Sequence, residues 1–292
     1  MTVPRPGLAL LFAVLPLGAM AQTYVDLDFS GNVQPASQMY PNNSTLGPYY
    51  SSALSMDFAN AGTYNGNSVD VRVSFLGLTD GEGSTFRDTS TYQWVGWIPD
   101  YNDSFAKNDL GVYYRQDGNL DQPTGGIAWS MSFFLGGSNF NTSLELPGVR
   151  LLIYDHDGEA LQDESIRAFA GDGLTGYQLH GNSGIHVHEE GDSYRFDSRG
   201  SGHPETTADG GMILYYENTS SIRFDMFGTT YAGIPPQNLG IFAAWDGNLG
   251  VNGGGTNGFN PLVTVPEPTA PILLGVAAAG LLLRRSRRTG SV

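Results

Sequence analysis

Six Asp–Gly pairs cut this chain into short pieces: Asp80-Gly81, Asp117-Gly118, Asp157-Gly158, Asp172-Gly173, Asp209-Gly210 and Asp246-Gly247. Such pairs tolerate the positive φ that tight turns require. Between them the apolar period is two. Val25, Leu27 and Phe29 alternate with Asp26, Asp28 and Ser30 as a half-buried strand does. Further strands are predicted over 54–58, 69–76, 92–98, 110–115, 127–135, 149–154, 165–170, 176–180, 184–188, 193–197, 212–216, 221–227 and 239–245. No amphipathic helical pattern longer than about two turns survives between residues 22 and 249. There is no repeat of 20–50 residues to suggest a propeller or solenoid. The reading is all-β: a two-sheet antiparallel sandwich of jelly-roll type, with an N-terminal signal helix and one C-terminal hydrophobic helix outside it.

The 292 residues include 40 Gly, 15 Tyr, 15 Phe and no Cys. Without Cys there is no disulfide, no Cys-ligated zinc and no thiol nucleophile. The fold must rest on a large core, which residues 22–249 are long enough to supply. That body and its tether hold nine basic and 28 acidic residues, a net charge of −19. A surface of that sign repels phosphate polymers and argues against nucleic acid as a partner.

The two ends read differently. Residues 1–21 carry Arg5, then the apolar run Leu8–Leu17, then Ala19-Met20-Ala21. This is the order of a secretory signal peptide, with Ala19 and Ala21 at the positions a signal peptidase reads, so the mature chain starts at Gln22. Residues 250–264 are rich in Gly and Asn and read as a flexible tether. Val265-Pro266-Glu267-Pro268 follows, then an apolar run over 270–283, then Arg284, Arg285, Arg287 and Arg288. At ~1.5 Å per residue the run spans about 21 Å, short of a hydrocarbon core of about 30 Å. The arginines stay on the cytoplasmic side and leave the body outside.

Four constellations are candidates for chemistry. Asp155 and Asp157 close an apolar strand and are two residues apart, so they could share a Ca²⁺ with Glu159, or simply form a solvated turn. No other cofactor is expected. Asp100, Asp103, Asp163 and Glu164 supply carboxylates for a glycosidase pair, a role that depends on a separation across a cleft. His186 and His188 share one strand face and could address one metal, or face water. Trp94, Trp97, Tyr101 and the Tyr49-Tyr50, Tyr113-Tyr114 and Tyr215-Tyr216 pairs are either core or a ring platform for sugars. There is no Gly-x-Ser-x-Gly elbow, phosphate loop or HExxH motif.

The C-terminal arrangement of Val265-Pro266-Glu267-Pro268, a short apolar helix over 270–283 and a terminal Arg cluster resembles the PEP-CTERM sorting signal of Gram-negative bacteria. The likeness covers residues 265–288. It implies recognition by an exosortase, a membrane transpeptidase acting near Pro266-Glu267-Pro268. It also implies passage through the inner membrane and delivery to the cell surface or an extracellular-polysaccharide matrix. Leu151–Glu159, Glu164–Arg167 and Tyr215–Ser220 look like β-sandwich regions of other exported PEP-CTERM proteins, which carry no agreed activity. The function expected is a structural or adhesive surface protein, not an enzyme. The alternatives are a carbohydrate-binding module with a calcium site and a polysaccharide hydrolase or lyase.

Overall fold

A computed structural model describes residues 23–30, 33–34, 55–79, 85–86, 92–101, 108–117, 124–156, 158, 162–198, 209–230, 240–249 and 256–266. The signal segment 1–21 with Ala19 and Ala21, the apolar run 270–283 and Arg284, Arg285, Arg287 and Arg288 lie outside them. Among the described residues no helix is long and apolar enough to cross a membrane.

The strands are β1 (Val33–Gln34), β2 (Ser55–Tyr64), β3 (Asn67–Thr79), β4 (Thr85–Phe86), β5 (Tyr92–Tyr101) and β6 (Asp109–Asp117). Next come β7 (Thr124–Leu135), β8 (Leu146–Tyr154), β9 (Gln162–Phe169), β10 (Leu174–Leu179) and β11 (Ile185–Glu190). The last are β12 (Ser193–Ser198), β13 (Met212–Thr219), β14 (Ser221–Thr230), β15 (Gly240–Asp246) and β16 (Val263–Thr264). The one helical element among the described residues is a 3₁₀ turn at Ala170–Asp172.

One sheet runs β1-β2-β3-β7-β14-β9-β12-β11, with β4 added to β3; the other runs β16-β10-β13-β8-β15-β6-β5. Every paired strand is antiparallel to its neighbours. From β6 to β15 each connection passes from one sheet to the other, except the β11–β12 hairpin. The architecture is therefore two antiparallel sheets face to face, as the alternating pattern predicts.

Alternation decides what lies between the sheets. On β14, Ile222, Phe224 and Met226 face inward, and on β7 so do Ile127, Trp129, Met131 and Phe133. Trp129 sits at the centre, 4.8 Å from Trp245, 5.5 Å from Trp97 and 4.9 Å from Phe224 between ring centroids. Trp97 and Trp245 come from the opposite sheet, so the rings stitch the layers together. Val25, Leu27 and Phe29 are buried as the sequence predicts. They do not form a regular strand. Val25 bridges to Val149 of β8, while Leu27 bridges to Gly62 of β2 and to Gly247, which follows β15.

A smaller apolar cluster lies elsewhere: Leu152 and Tyr154 of β8, Ile213 and Tyr215 of β13, Ala244 of β15 and Leu249, with Phe259 packed against it. It occupies the outer face of the second sheet, because its β8 and β13 members alternate with core residues Leu151, Ile153, Leu214 and Tyr216. The chain leaving β15 thus lies back on its own sheet.

Candidate functional site

The described part of the C-terminal stretch is docked on the body. Residues 256–264 belong to the stretch read as a free tether, yet they run along the outer edge of β10. Gly176 pairs with Thr264 and Tyr177 with Val263. The Gly181 N–H donates to the Gly258 carbonyl at 2.8 Å, Asn260 N–H to Leu179 O at 2.9 Å and Val265 N–H to Thr175 O at 2.8 Å. The Gln178 side-chain amide donates to the Asn260 carbonyl at 2.7 Å. Phe259 meets the His180 ring edge-on at 5.3 Å.

Two glycines make this approach feasible. A Cβ on Gly176 would stand 2.8 Å from the Val263 carbonyl oxygen, and one on Gly258, whose φ is +84°, would stand 2.2 Å from His180 Nε2. The free-tether reading fails here for a physical reason. Gly and Asn permit close backbone approach as well as flexibility, and composition alone does not separate the two. Of the sorting residues, Val265 is buried against the core and Pro266 is exposed. Glu267 and Pro268 lie outside the described residues.

Val265 also lines a cleft of about 580 Å³. Its walls are the 3₁₀ turn with Asp172, the start of β10 with Thr175, and the β13–β14 turn with Glu217, Asn218 and Ser221; Glu145 also lines it. Asn218 has φ +50°, and the β13–β8 ladder passes over it and Pro147 without a change of register between Glu217 and Thr219. Burial pushes the Asp172 carboxyl above its ordinary range, against the opposing effects of the Arg223 N–H and the Arg223 charge. That N–H reaches Asp172 Oδ2 at 2.8 Å. The chemistry offered is carboxylates and hydroxyls without rings, suited to a hydroxylated or cationic group. The residues come from positions 145, 172, 217 and 265, too far apart in sequence for a motif search to join. Asp172 was legible only as half of a turn pair.

The outer face of the first sheet carries a ladder of charges. His188 Nε2 lies 3.1 Å from Asp197, Arg195 2.8 Å from Glu190, Arg167 2.8 Å from Glu190 and Arg223 3.0 Å from Asp225. Arg167, Asp197 and Asp225 are buried by their neighbours on this face. At the far side Arg72 grips Asp57 with two bonds of 2.6 and 2.7 Å. His186 and His188 share the outward face of β11, as their spacing predicts. His186 is exposed and His188 answers a carboxylate across the hairpin.

His156, which follows Asp155, is buried. Its Nε2 is 3.0 Å from the Phe196 carbonyl and its Nδ1 3.8 Å from Glu164. Burial lowers its pKa to about 4, against the raising effects of the Phe196 hydrogen bond and Asp197.

No family model matches the chain, and no curated protein matches it in sequence. Among solved structures, the N-terminal domain of the Streptococcus gordonii adhesin Sgo0707 is similar to it at 13% identity and a TM-score of 0.43, covering 68% of this chain and 48% of that one. The adhesin domain of PrgB from Enterococcus faecalis is similar at 10% identity and a TM-score of 0.36, covering 66% of this chain and 63% of that one. The chain thus spans about half of the first structure and under two thirds of the second. Likeness at this level bears on neither mechanism nor ligand.

The remaining candidates are placed as follows. Asp155 is half-buried at the end of β8 with φ +56°, while Asp157 and Glu159 lie outside the described residues. Among the described residues no three His, Asp or Glu side chains group as a metal site. Trp97 is core, not a sugar platform, and Tyr114, Tyr216 and Trp245 are core with it. The exposed large apolar residues among those described are Leu76, Leu262 and Val263, none aromatic. The side chains of Trp94, Asp100 and Tyr101 lie outside the described residues.

Proposed function

We propose that this chain is an exported protein of structural or adhesive role at the cell surface or in an extracellular-polysaccharide matrix. On this reading it is not an enzyme. Residues 265–288 are its sorting signal: an exosortase reads Val265, Pro266, Glu267 and Pro268 while the run 270–283 rests in the inner membrane. Arg284, Arg285, Arg287 and Arg288 hold that run against translocation. The observation that carries the reading is the exit of the chain. Val265 is buried beside β10 and Pro266, next along the chain, is exposed. Among the described residues the sorting motif thus begins with one buried residue, Val265, followed by one exposed residue, Pro266. The winding supports a jelly-roll class, with β7-β14-β9-β12 opposite β8-β13-β10 and repeated crossing between sheets.

The test is fractionation of cells expressing the full chain. Replacing the four arginines by Ser is expected to let the tail pass the membrane and to lower the membrane-held fraction. Unchanged partitioning would contradict the topology.

A second reading, a carbohydrate-binding module, is supported by the carboxylates and hydroxyls that line the cleft at Asp172 and Glu217, although no ring stands among them. It predicts glycan binding that Asp172→Asn weakens about tenfold, by loss of one charged hydrogen bond. Loss of binding on chelation would add the Ca²⁺ at Asp155 and Asp157.

A further inference from the structure

The segment 256–266 is held at the rim of the fold. Of its residues only Val265 is buried, while Leu262 and Val263 are 49% and 46% exposed. Its ladder with β10 is two residues long, whereas β10 pairs with β13 over five. Lifting the segment off therefore leaves β10 anchored in its sheet by β13 and withdraws one residue, Val265, from the inter-sheet core. Opening of this kind is local, not global, unfolding.

The acceptor is nevertheless cut for this segment. Gly176 admits the Val263 carbonyl, Gly258 clears His180, and the Leu179 and Thr175 carbonyls each receive an N–H from it. A second copy carries the same acceptor and the same segment, so complementarity between copies is assured by complementarity within one. The segment follows Gly250-Val251-Asn252-Gly253-Gly254-Gly255, four of whose six residues are glycine.

We propose that the segment 256–266 exchanges between copies, docking on β10 of a neighbouring molecule and linking the sandwiches into dimers or longer chains. The hydrogen bonds broken on opening are remade in kind on the neighbour, so the balance turns on concentration. Chains sorted to one surface meet that condition. Repulsion between bodies of charge −19 opposes it, so exchange rises with ionic strength.

Because the chain has no Cys, cross-linking tests this cleanly. Gln178 stands opposite Leu262, one step along from the Tyr177–Val263 pair. The double variant Q178C/L262C of the full chain should close internally on oxidation, which fixes the register. Equimolar Q178C and L262C single variants, distinguished by mass tags and solubilised in mild detergent, should form a Q178C–L262C mixed dimer. Its yield should grow with protein concentration and salt, and exceed the homodimer yields of either variant alone. Absence of the mixed product while the double variant closes would overturn the proposal. Failure of the double variant to close would overturn it too, by removing the acceptor register.

Discussion

His156 has no route to water, so its protonation is tied to folding. Burial holds its folded pKa near 4, while an unfolded His titrates near 6.5. Above pH 6.5 the ring is neutral in both states and its contribution is complete. As pH falls from 6.5 toward 4 the unfolded chain takes a proton that the folded chain refuses, and stability drops by about 3 kcal/mol. Urea midpoints at pH 7 and pH 4.5 check this. His156→Asn should flatten the dependence over that window relative to the parent. An identical slope in both proteins would place the pH sensitivity elsewhere. The Arg72–Asp57 pair makes a second residue-scale prediction from its asymmetric burial. Asp57 is 4% exposed at the side chain and Arg72 35%. Arg72→Ala strands a buried carboxylate and is expected to cost about 2 kcal/mol or more, while Asp57→Ala frees an arginine that can turn to water and costs less. Chemical denaturation of the two variants orders them.

Individual elements were legible to the extent that each declares its own period. The alternation of Val69, Val71 and Val73, or of Ile222, Phe224 and Met226, marks strands whose inner face is filled by those residues. The turn chemistry was read less completely. The β2–β3 hairpin is closed by Asn65-Gly66, at φ +49° and +77°, a pair as informative as any Asp–Gly in the chain. Asp246-Gly247 closes no hairpin; Gly247 instead bridges to Leu27. Gly66 has open space around it, so substitutions there report backbone conformation alone. Gly66→Val is expected to lower stability by about 1–2 kcal/mol and Gly66→Asn by less, because Asn enters the left-handed region more readily. Thermal melts of the pair settle the order. The docked segment 256–266 was hidden for a different reason. Its partner groups on β10 are about 80 residues away, as the Gln178–Asn260 contact shows.

On the proposed function the molecule joins a sandwich to two ends that act as addresses. The two-sheet architecture follows from short alternating strands because neither sheet can leave its apolar face in water. Strand order does not follow from local pattern: β14 lies between β7 and β9, and β8 between β13 and β15. The cleft shares that opacity, since Glu145, Asp172 and Glu217 converge only after those strands have crossed. The acidity of the body is distributed between internal ladders, as at Asp225 and Asp57, and open surfaces, as at Glu145 and Glu189. Only the latter meet a partner.

On the proposed function, export and removal of a C-terminal sorting signal leave a signature in the mass of the mature protein. Intact-mass analysis of the surface-released species reads that signature at both ends at once. The expected species begins at Gln22 and ends within or just beyond Pro266-Glu267-Pro268, lacking the apolar run and the arginines. A species that retains residues 1–21, or that extends unbroken through Arg288 to Val292, would contradict it.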